Sequence, residues 1–259
     1  MRKIISMGGL AIASAVLISC VCSAAPSKTL FGANDRGMKP ITVAKAKGRI
    51  KIDGKATEKD WKKAKNLASL ANGRMGVVSN GKDMSAWKRN IPLTSKMAKV
   101  KVWKLLWNSK GLYSYIEVAD KTKCAQVAST GPTNSDSVEY HIDAANKDRT
   151  SYVDKNEAQY RLMRNGKTVS GWGSWDRNAF KANAKGSQTN TGYKQEVMIQ
   201  WKNHGIKSQK VGKKVGFDLL VNDAVKKKGE QVRTYVTIWN SWNEAWENPS
   251  TMGTLIMGK

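Results

Sequence analysis

Residues 135–143 read Ser-Asp-Ser-Val-Glu-Tyr-His-Ile-Asp, and residues 157–164 read Glu-Ala-Gln-Tyr-Arg-Leu-Met-Arg. Both runs alternate apolar and polar side chains, the period of a β-strand. On two neighbouring strands, Glu139 and Arg161 would reach the same sheet face. A charged acceptor beside a charged donor, with indole rings near, suits a polyhydroxylated ligand. Hydroxyls need both kinds of partner, and a sugar-like ring offers its C–H face to an indole. The same two residues also read as a structural ion pair on a solvated sheet, and the pattern leaves both readings open. The supply of indoles is large: ten Trp against seven Tyr and three Phe.

Other chemistries find less support. The chain holds no Gly-x-Ser-x-Gly, no His-Glu-x-x-His and no phosphate-binding glycine loop. Glu139 with Asp143, and Glu244 with Glu247, are carboxylate pairs, but hydrolysis of a glycosidic bond needs two carboxyls facing each other across a cleft. Spacing along one strand does not supply that, so they read as solvated or hydrogen-bonded groups. His141 and Met163 on the same strand pair would serve a haem iron in a redox sandwich domain, an alternative that rests on analogy alone.

The elements that must position these residues are short and turn-separated. Arg49 to Gly54 looks like a strand entering a turn. Thr57 with Asp60 fits a capping box, predicting a helix over residues 58–65 with Trp61 and Ala64 on one face. Residues 70–96, with Gly73, Gly76, Gly81 and Pro92, look like a loop. Alternation resumes at Val100, Val102 and Leu106, turns at Asn108–Gly111, and continues through Leu112, Ile116 and Val118 as a hairpin. Further alternating runs follow near residues 138–142, 160–163, 193–201, 215–222, 232–238 and 255–257. About ten strands with one short helix near the start predict an all-β chain, an antiparallel, jelly-roll-like β-sandwich. No strand–helix alternation supports a parallel α/β fold.

At this point the sequence resembles a known family, the family 9 carbohydrate-binding modules attached to some xylanases. The similarity runs over about residues 40–259. It is carried by Ile52-Asp53-Gly54 with Glu58 to Trp61, Leu106-Trp107-Asn108 with Gly111-Leu112-Tyr113, and Asp136-Ser137-Val138-Glu139 with Ile142-Asp143. It continues in Ala158-Gln159-Tyr160-Arg161, Ile199-Gln200-Trp201-Lys202, Val221-Asn222-Asp223 and Trp246-Glu247-Asn248-Pro249. The resemblance implies a lectin-like sandwich that binds glucan or xylan, in which two Trp clamp a terminal sugar while Glu, Arg and Asn bond its hydroxyls. By position Glu139 and Arg161 match the polar pair, and Asn243 and Trp246 match one wall of the clamp. The other clamp Trp falls at Thr133, a departure; Trp172, Trp175, Trp242 or Trp87 would have to replace it. Trp61, Trp107 and Trp201 occupy framework positions and read as core, and Trp103 and Trp239 fit either role. Family members can hold structural calcium, and here the loop from Asp148 to Glu157 is the place to look, though it mixes acids with bases. The resemblance implies binding without catalysis, beside a separate glycoside hydrolase.

Composition frames these expectations. The 259 residues carry 45 Lys and Arg against 20 Asp and Glu, a formal charge of +25. With 40% hydrophobic residues the chain supports a core, which rules out a wholly disordered chain. Arg2 and Lys3, an uncharged run to Val21 and the site at Ala24 read as an export signal over residues 1–24. Leu17-Ile18-Ser19-Cys20 also resembles a lipobox, so a secreted or periplasmic protein and a lipid-anchored one through Cys20 are both expected outcomes, with the former preferred. Residues 25–39 read as a polar tether, and residues 40–259 as one binding module, with no length left for a catalytic barrel. Cys124 stands alone in the module and reads as a buried thiol. Export argues against nucleic acid as partner. The charge points instead to anionic envelope glycans or surfaces.

Overall fold

The computed structural model describes residues 39–72, 74–79, 83–89, 97–124, 134–170, 177–241 and 245–259. The export signal, Cys20 and most of the tether lie outside them, as do Thr133, Trp172, Trp175, Trp242, Asn243 and Glu244. In chain order the elements are β1 (Ile41–Val43), α1 (Lys59–Lys63), α2 (Ala68–Ala71), β2 (Arg74–Ser79), β3 (Asp83–Arg89), β4 (Lys99–Trp107), β5 (Gly111–Ala119), β6 (Ser137–Asp143) and β7 (Glu157–Met163). Then come β8 (Thr168–Ser170), α3 (Arg177–Ala182), β9 (Ala184–Thr189), β10 (Gly192–Gln200), β11 (Lys214–Lys227), β12 (Glu230–Ile238) and β13 (Gly253–Met257).

The strands form two sheets, as the alternation predicts. The larger runs β3-β2-β12-β11-β6-β7-β8, with β13 on β11 and β1 parallel to β13. The smaller runs β4-β5-β10-β9. Alternate residues explain the packing: Val138, Tyr140 and Ile142 of β6 face inward, and so do Ile116 and Val118 of β5 and Val197 and Ile199 of β10. The framework indoles Trp61, Trp107 and Trp201 are fully buried, and Trp103 and Trp239 join them, their rings 5.6 Å apart. Each such ring removes on the order of 200 Å² from water, about 5 kcal/mol of gross driving force. β5 and β10 approach closely at Gly192, where an added Cβ would sit 2.0 Å from the Val118 carbonyl oxygen.

Three local expectations change. Residues 49–54 are not a strand. Ile50 and Ile52 pack outside the smaller sheet with Trp61, Leu106, Tyr113 and Tyr115, and the alternation reports that contact rather than pairing. The backbone N–H groups here are satisfied by carboxylates: Glu196 Oε2 accepts from Asp53 N at 3.0 Å and Gly54 N at 2.8 Å, and Glu58 Oε1 accepts from Lys51 N at 2.9 Å. The helix is also shorter than residues 58–65. Its N-cap is Glu58 without a side-chain cap, because Asp60 turns outward to accept from Lys47 N and Gly48 N. Residues 70–96 hold the end of α2 and the hairpin β2–β3, which extends the larger sheet beyond β12. Gly76 stands opposite Trp87 and Val236 there, so the glycine that suggested a loop lies within a strand. Among the described residues no helix is long and apolar enough to cross a membrane.

Glu196 fixes this outer layer, since its other oxygen accepts from Trp61 Nε1 at 2.9 Å. Glu196→Ala leaves three donors, two of them buried, without an acceptor and is expected to lower stability by about 2–4 kcal/mol. Urea unfolding followed by Trp fluorescence checks this, with Glu196→Gln retaining part of the loss.

Candidate functional site

The outward face of the larger sheet carries the residues that the sequence singled out. Glu139 and Arg161 are register partners across β6 and β7, as the spacing predicts. Both are nearly buried, at 2% and 8% exposure, because the face is covered by the connection from β6 to β7 and by the chain after β12.

The carboxylate of Glu139 is saturated. Its Oε1 accepts from Arg161 through Nε at 3.0 Å and through Nη2, and from Asn222 Nδ2 at 2.7 Å. Its Oε2 accepts from Gln159 Nε2 at 2.5 Å and lies 3.3 Å from His141 Nε2. An ionised carboxylate offers about four lone-pair sites, so no acceptor capacity is left for a hydroxyl. Burial alone would raise the Glu139 carboxyl; Arg161, with His141 and Arg233, overrides it and holds the group well below the usual range. The donors facing outward are guanidiniums. Arg233 is half-buried, donates to Asn222 Oδ1 at 3.0 Å and leaves Nε without a partner.

Tyr152 ties this network to the covering segment. Its hydroxyl donates to the Ala245 carbonyl and lies 3.2 Å from His141 Nδ1. The next residue is Trp246, 38% exposed and the most exposed Trp whose side chain is described. Asp218 holds the same segment lower down, accepting from Asn240 N at 3.0 Å and Ser241 N at 2.6 Å. The structure thus joins Glu139, Arg161 and the chain next to Trp246. Asn243, Trp172, Trp175 and Trp242 lie outside the described residues. The sequence reading missed Gln159, Asn222 and Arg233. The first two are polar residues on the same alternating face. Arg233 is shifted by the β-bulge at Asp223/Ala224, which no spacing reveals. Both ring nitrogens of His141 are engaged within this network, and Met163 stands opposite Ser137 two positions from Arg161.

Calcium takes six or more oxygen ligands. In the loop that the sequence singled out, Asp154 already pairs with Lys147 Nζ at 2.8 Å and Arg149 Nη1 at 2.7 Å. Beside it, Asp143 Oδ1 and Asn146 Oδ1 are buried acceptors that meet no donor, and Glu157 Oε1 is buried without a hydrogen bond, 3.7 Å from Arg149 Nη1. Burial raises both the Asp143 and Glu157 carboxyls. The two acceptors without donors, with the Glu157 carboxylate near them, are the chemistry that a hard cation fits, in competition with Arg149 for Glu157.

A second acidic group is held by a guanidinium. Asp120, Asp136 and Asp223 converge, and Arg164 Nη1 donates to Asp120 Oδ2 at 2.7 Å and Asp136 Oδ2 at 3.1 Å. Cys124 is buried beside them, its thiol pushed up to about 12 by burial first and by Asp136 next, consistent with an inert thiol. Burial also raises Asp223 to about 7, and burial with the charge of Asp120 raises Asp136 to about 8. The unfolded chain releases these protons near pH 4, so in between the folded state binds more protons and stability falls as pH rises. Asp223 Oδ2 accepts from Ala98 N at 2.7 Å while Oδ1 has no partner, so Asn fits this position. Asp223→Asn is expected to flatten the decline in urea midpoint between about pH 5 and 8 and to match or exceed the parent at about pH 8.

Comparison with known proteins gives a consistent picture. The model of the family described as carbohydrate family 9 binding domain-like matches residues 52–259. An exoglucanase XynX of Acetivibrio thermocellus is 34% identical over 155 residues, 60% of this chain and 13% of the relative. Endo-1,4-beta-xylanase C of Paenibacillus barcinonensis is 32% identical over 188 residues, 70% of this chain and 16% of the relative. The chain spans only 13% to 20% of the length of the first curated relatives it matches. Among solved structures, a family 9 carbohydrate binding module from Caldicellulosiruptor kristjanssonii in complex with cellotriose superposes with TM-score 0.63 at 23% identity, covering 85% of this chain and 95% of the other. Its glucose complex gives TM-score 0.65. The match over residues 52–259, on a two-sheet sandwich of the same fold, shows that the chain belongs to the family 9 carbohydrate-binding modules.

Proposed function

We propose that the protein is a non-catalytic module that binds a β-glucan or xylan-type polysaccharide, or its chain end, on the outward face of the larger sheet. The observation that carries this is Trp246, exposed and joined through Ala245 and Tyr152 to the Glu139 network. The indole stacks on a sugar ring, while Arg161 and Arg233 donate to its hydroxyls. Glu139 and Asn222 aim those guanidiniums and do not themselves bond the ligand. Asn243, Trp172, Trp175 and Trp242 are assigned to the walls of the same site. Exoglucanase and xylanase relatives, and neighbours solved with cellotriose and glucose, support this ligand class. The reading includes export, on the pattern of residues 1–24, and action beside a separate glycoside hydrolase.

Calorimetry with cellotriose and xylotriose tests it. Trp246→Ala is expected to weaken binding about tenfold, the worth of one stacked ring. Tyr152→Phe keeps the ring but releases the segment that carries Trp246, and is expected to weaken binding less. A neutral sugar stacked on an indole binds with little dependence on salt. Unchanged affinity in Trp246→Ala would remove the site from this face, and reducing sugar released from xylan would refute the non-catalytic reading.

The reading also assigns a calcium ion to Asp143, Asn146 and Glu157. Chelation by EDTA is expected to lower the thermal midpoint and added calcium to restore it, with Glu157→Gln insensitive to both. A midpoint that EDTA leaves unchanged refutes the assignment.

A further inference from the structure

The outward face of the smaller sheet is built differently from the sugar face. Residues 44–65 cross it, pinned by Trp61 against Tyr115 and by Glu196. This segment holds nine Lys or Arg against three acids. Those acids are committed to the backbone: Asp60 accepts from Lys47 N and Gly48 N, Glu58 from Lys51 N, and Asp53 from Lys55 N at 3.0 Å. Glu196 serves the same purpose from β10. The carboxylates that would pair the ammonium groups are therefore largely spent on holding the chain in place, with Asp53 also lying 3.8 Å from an ammonium group, that of Lys51. Lys59, Lys62 and Lys63 of α1 are exposed, as are Lys101, Lys185 and Lys194 on the sheet beneath. Among these six, Lys194 has an ion pair in the described structure, with Glu117 at 3.1 Å.

We propose that this basic face is a second binding surface, for a carboxylate-bearing polysaccharide such as a polyuronate, on the opposite side of the sandwich from the neutral-sugar site. Charge complementarity and the chemistry of the face select this occupant. Nucleic acid is held by exposed rings and Arg as well as charge. Here Trp61, Tyr113 and Tyr115 are buried, and Arg49 is the one Arg among the nine basic residues of the segment, the rest being Lys. A membrane surface would be met by an amphipathic helix with free apolar residues. The apolar side of α1 is buried, and among the described residues the exposed large apolar ones, Val153, Val211 and Trp246, lie outside residues 44–65 and the strands of the smaller sheet. A face rich in exposed ammonium groups and poor in free carboxylates fits repeating carboxylates along a chain.

The test is binding of the full chain to polygalacturonate, followed by affinity electrophoresis and calorimetry at low and high salt. The parent is expected to bind at low salt and to lose about tenfold or more in affinity on raising salt from about 50 to 200 mM. Lys62→Gln with Lys63→Gln and Lys185→Gln is expected to lose about tenfold. Lys207→Gln with Lys210→Gln and Lys213→Gln removes the same charge elsewhere and is expected to lose less than about threefold. Equal losses in the two triple variants would make the attraction a property of net charge and overturn the localised surface. Absence of binding to polygalacturonate, or binding only to vesicles containing phosphatidylglycerol, would also overturn it. Trp246→Ala is expected to retain polygalacturonate binding, so failure of the sugar site and failure of this surface are read separately.

Discussion

The two sheets are locked together by one buried guanidinium. Arg164 follows β7 of the larger sheet, and its Nη2 donates to the carbonyls of Asp120 at 3.1 Å, Thr189 at 3.3 Å and Gly192 at 3.4 Å, all at the end of the smaller sheet. Its Nη1 donates to Asp120, Asp136 and the Thr122 carbonyl. Asp136 in turn accepts from Cys124 N and Ala224 N, both at 2.9 Å. One planar fork thus ties the end of the smaller sheet to the entry into β6 and the start of the bulged half of β11, and Gln195 of β10 adds to it by donating to the Leu162 carbonyl at 2.9 Å. Arg suits this place because its donors are fixed in a plane and it keeps its charge when buried. Everything on the outward face of the larger sheet depends on that placement, since β6 and β11 carry Glu139, His141, Asp218 and Asn222.

The sandwich covers its two outer faces by opposite means. Over the larger sheet, loops close on a polar network in which a single carboxylate gathers donors from the strands on both sides of it. Such a network is costly if incomplete and rigid when satisfied, which suits a site that must hold guanidiniums at fixed angles. Over the smaller sheet, the chain before β2 lays down an apolar strip of Ile50, Trp61 and Ala64 on Leu106, Tyr113 and Tyr115. Carboxylates there tie down the backbone instead of lining a site. The first face preorganises direction and the second only presents charge, and these are the requirements of hydroxyl recognition and of polyanion attraction respectively.

The fold was legible where alternation and burial coincide. Val138, Tyr140 and Ile142 announce their own face, and they placed Glu139 and Arg161 opposite each other correctly. Reading failed where another force produced the same pattern. Ile50 and Ile52 alternate because they pack on a sheet from outside, and Thr57 with Asp60 resembles a cap while Asp60 serves Lys47 and Gly48. The burial of Glu139 was illegible because its cover joins the β6–β7 connection to a segment 93 positions further on, through Tyr152 and Ala245. Alternation can say which face a residue occupies, but not what lies above that face.

The same distinction reinterprets the charge. Among the described residues, eight of the chain's twenty acids are buried: Asp120, Asp136, Glu139, Asp143, Glu157, Glu196, Asp218 and Asp223. Among the described residues the buried Lys and Arg are Arg161 and Arg164. Acids go inside because a carboxylate can satisfy several backbone or side-chain donors at once, whereas a Lys ammonium offers only donors and is strongly hydrated. Burial therefore sorts the two signs of charge. Solvent meets most of the 45 basic residues but only part of the 20 acidic ones, so the exterior is more basic than the formal +25 suggests. The excess of Lys is not spread evenly over the outer layer, because it is densest where acids are diverted to hold the chain, along residues 44–65.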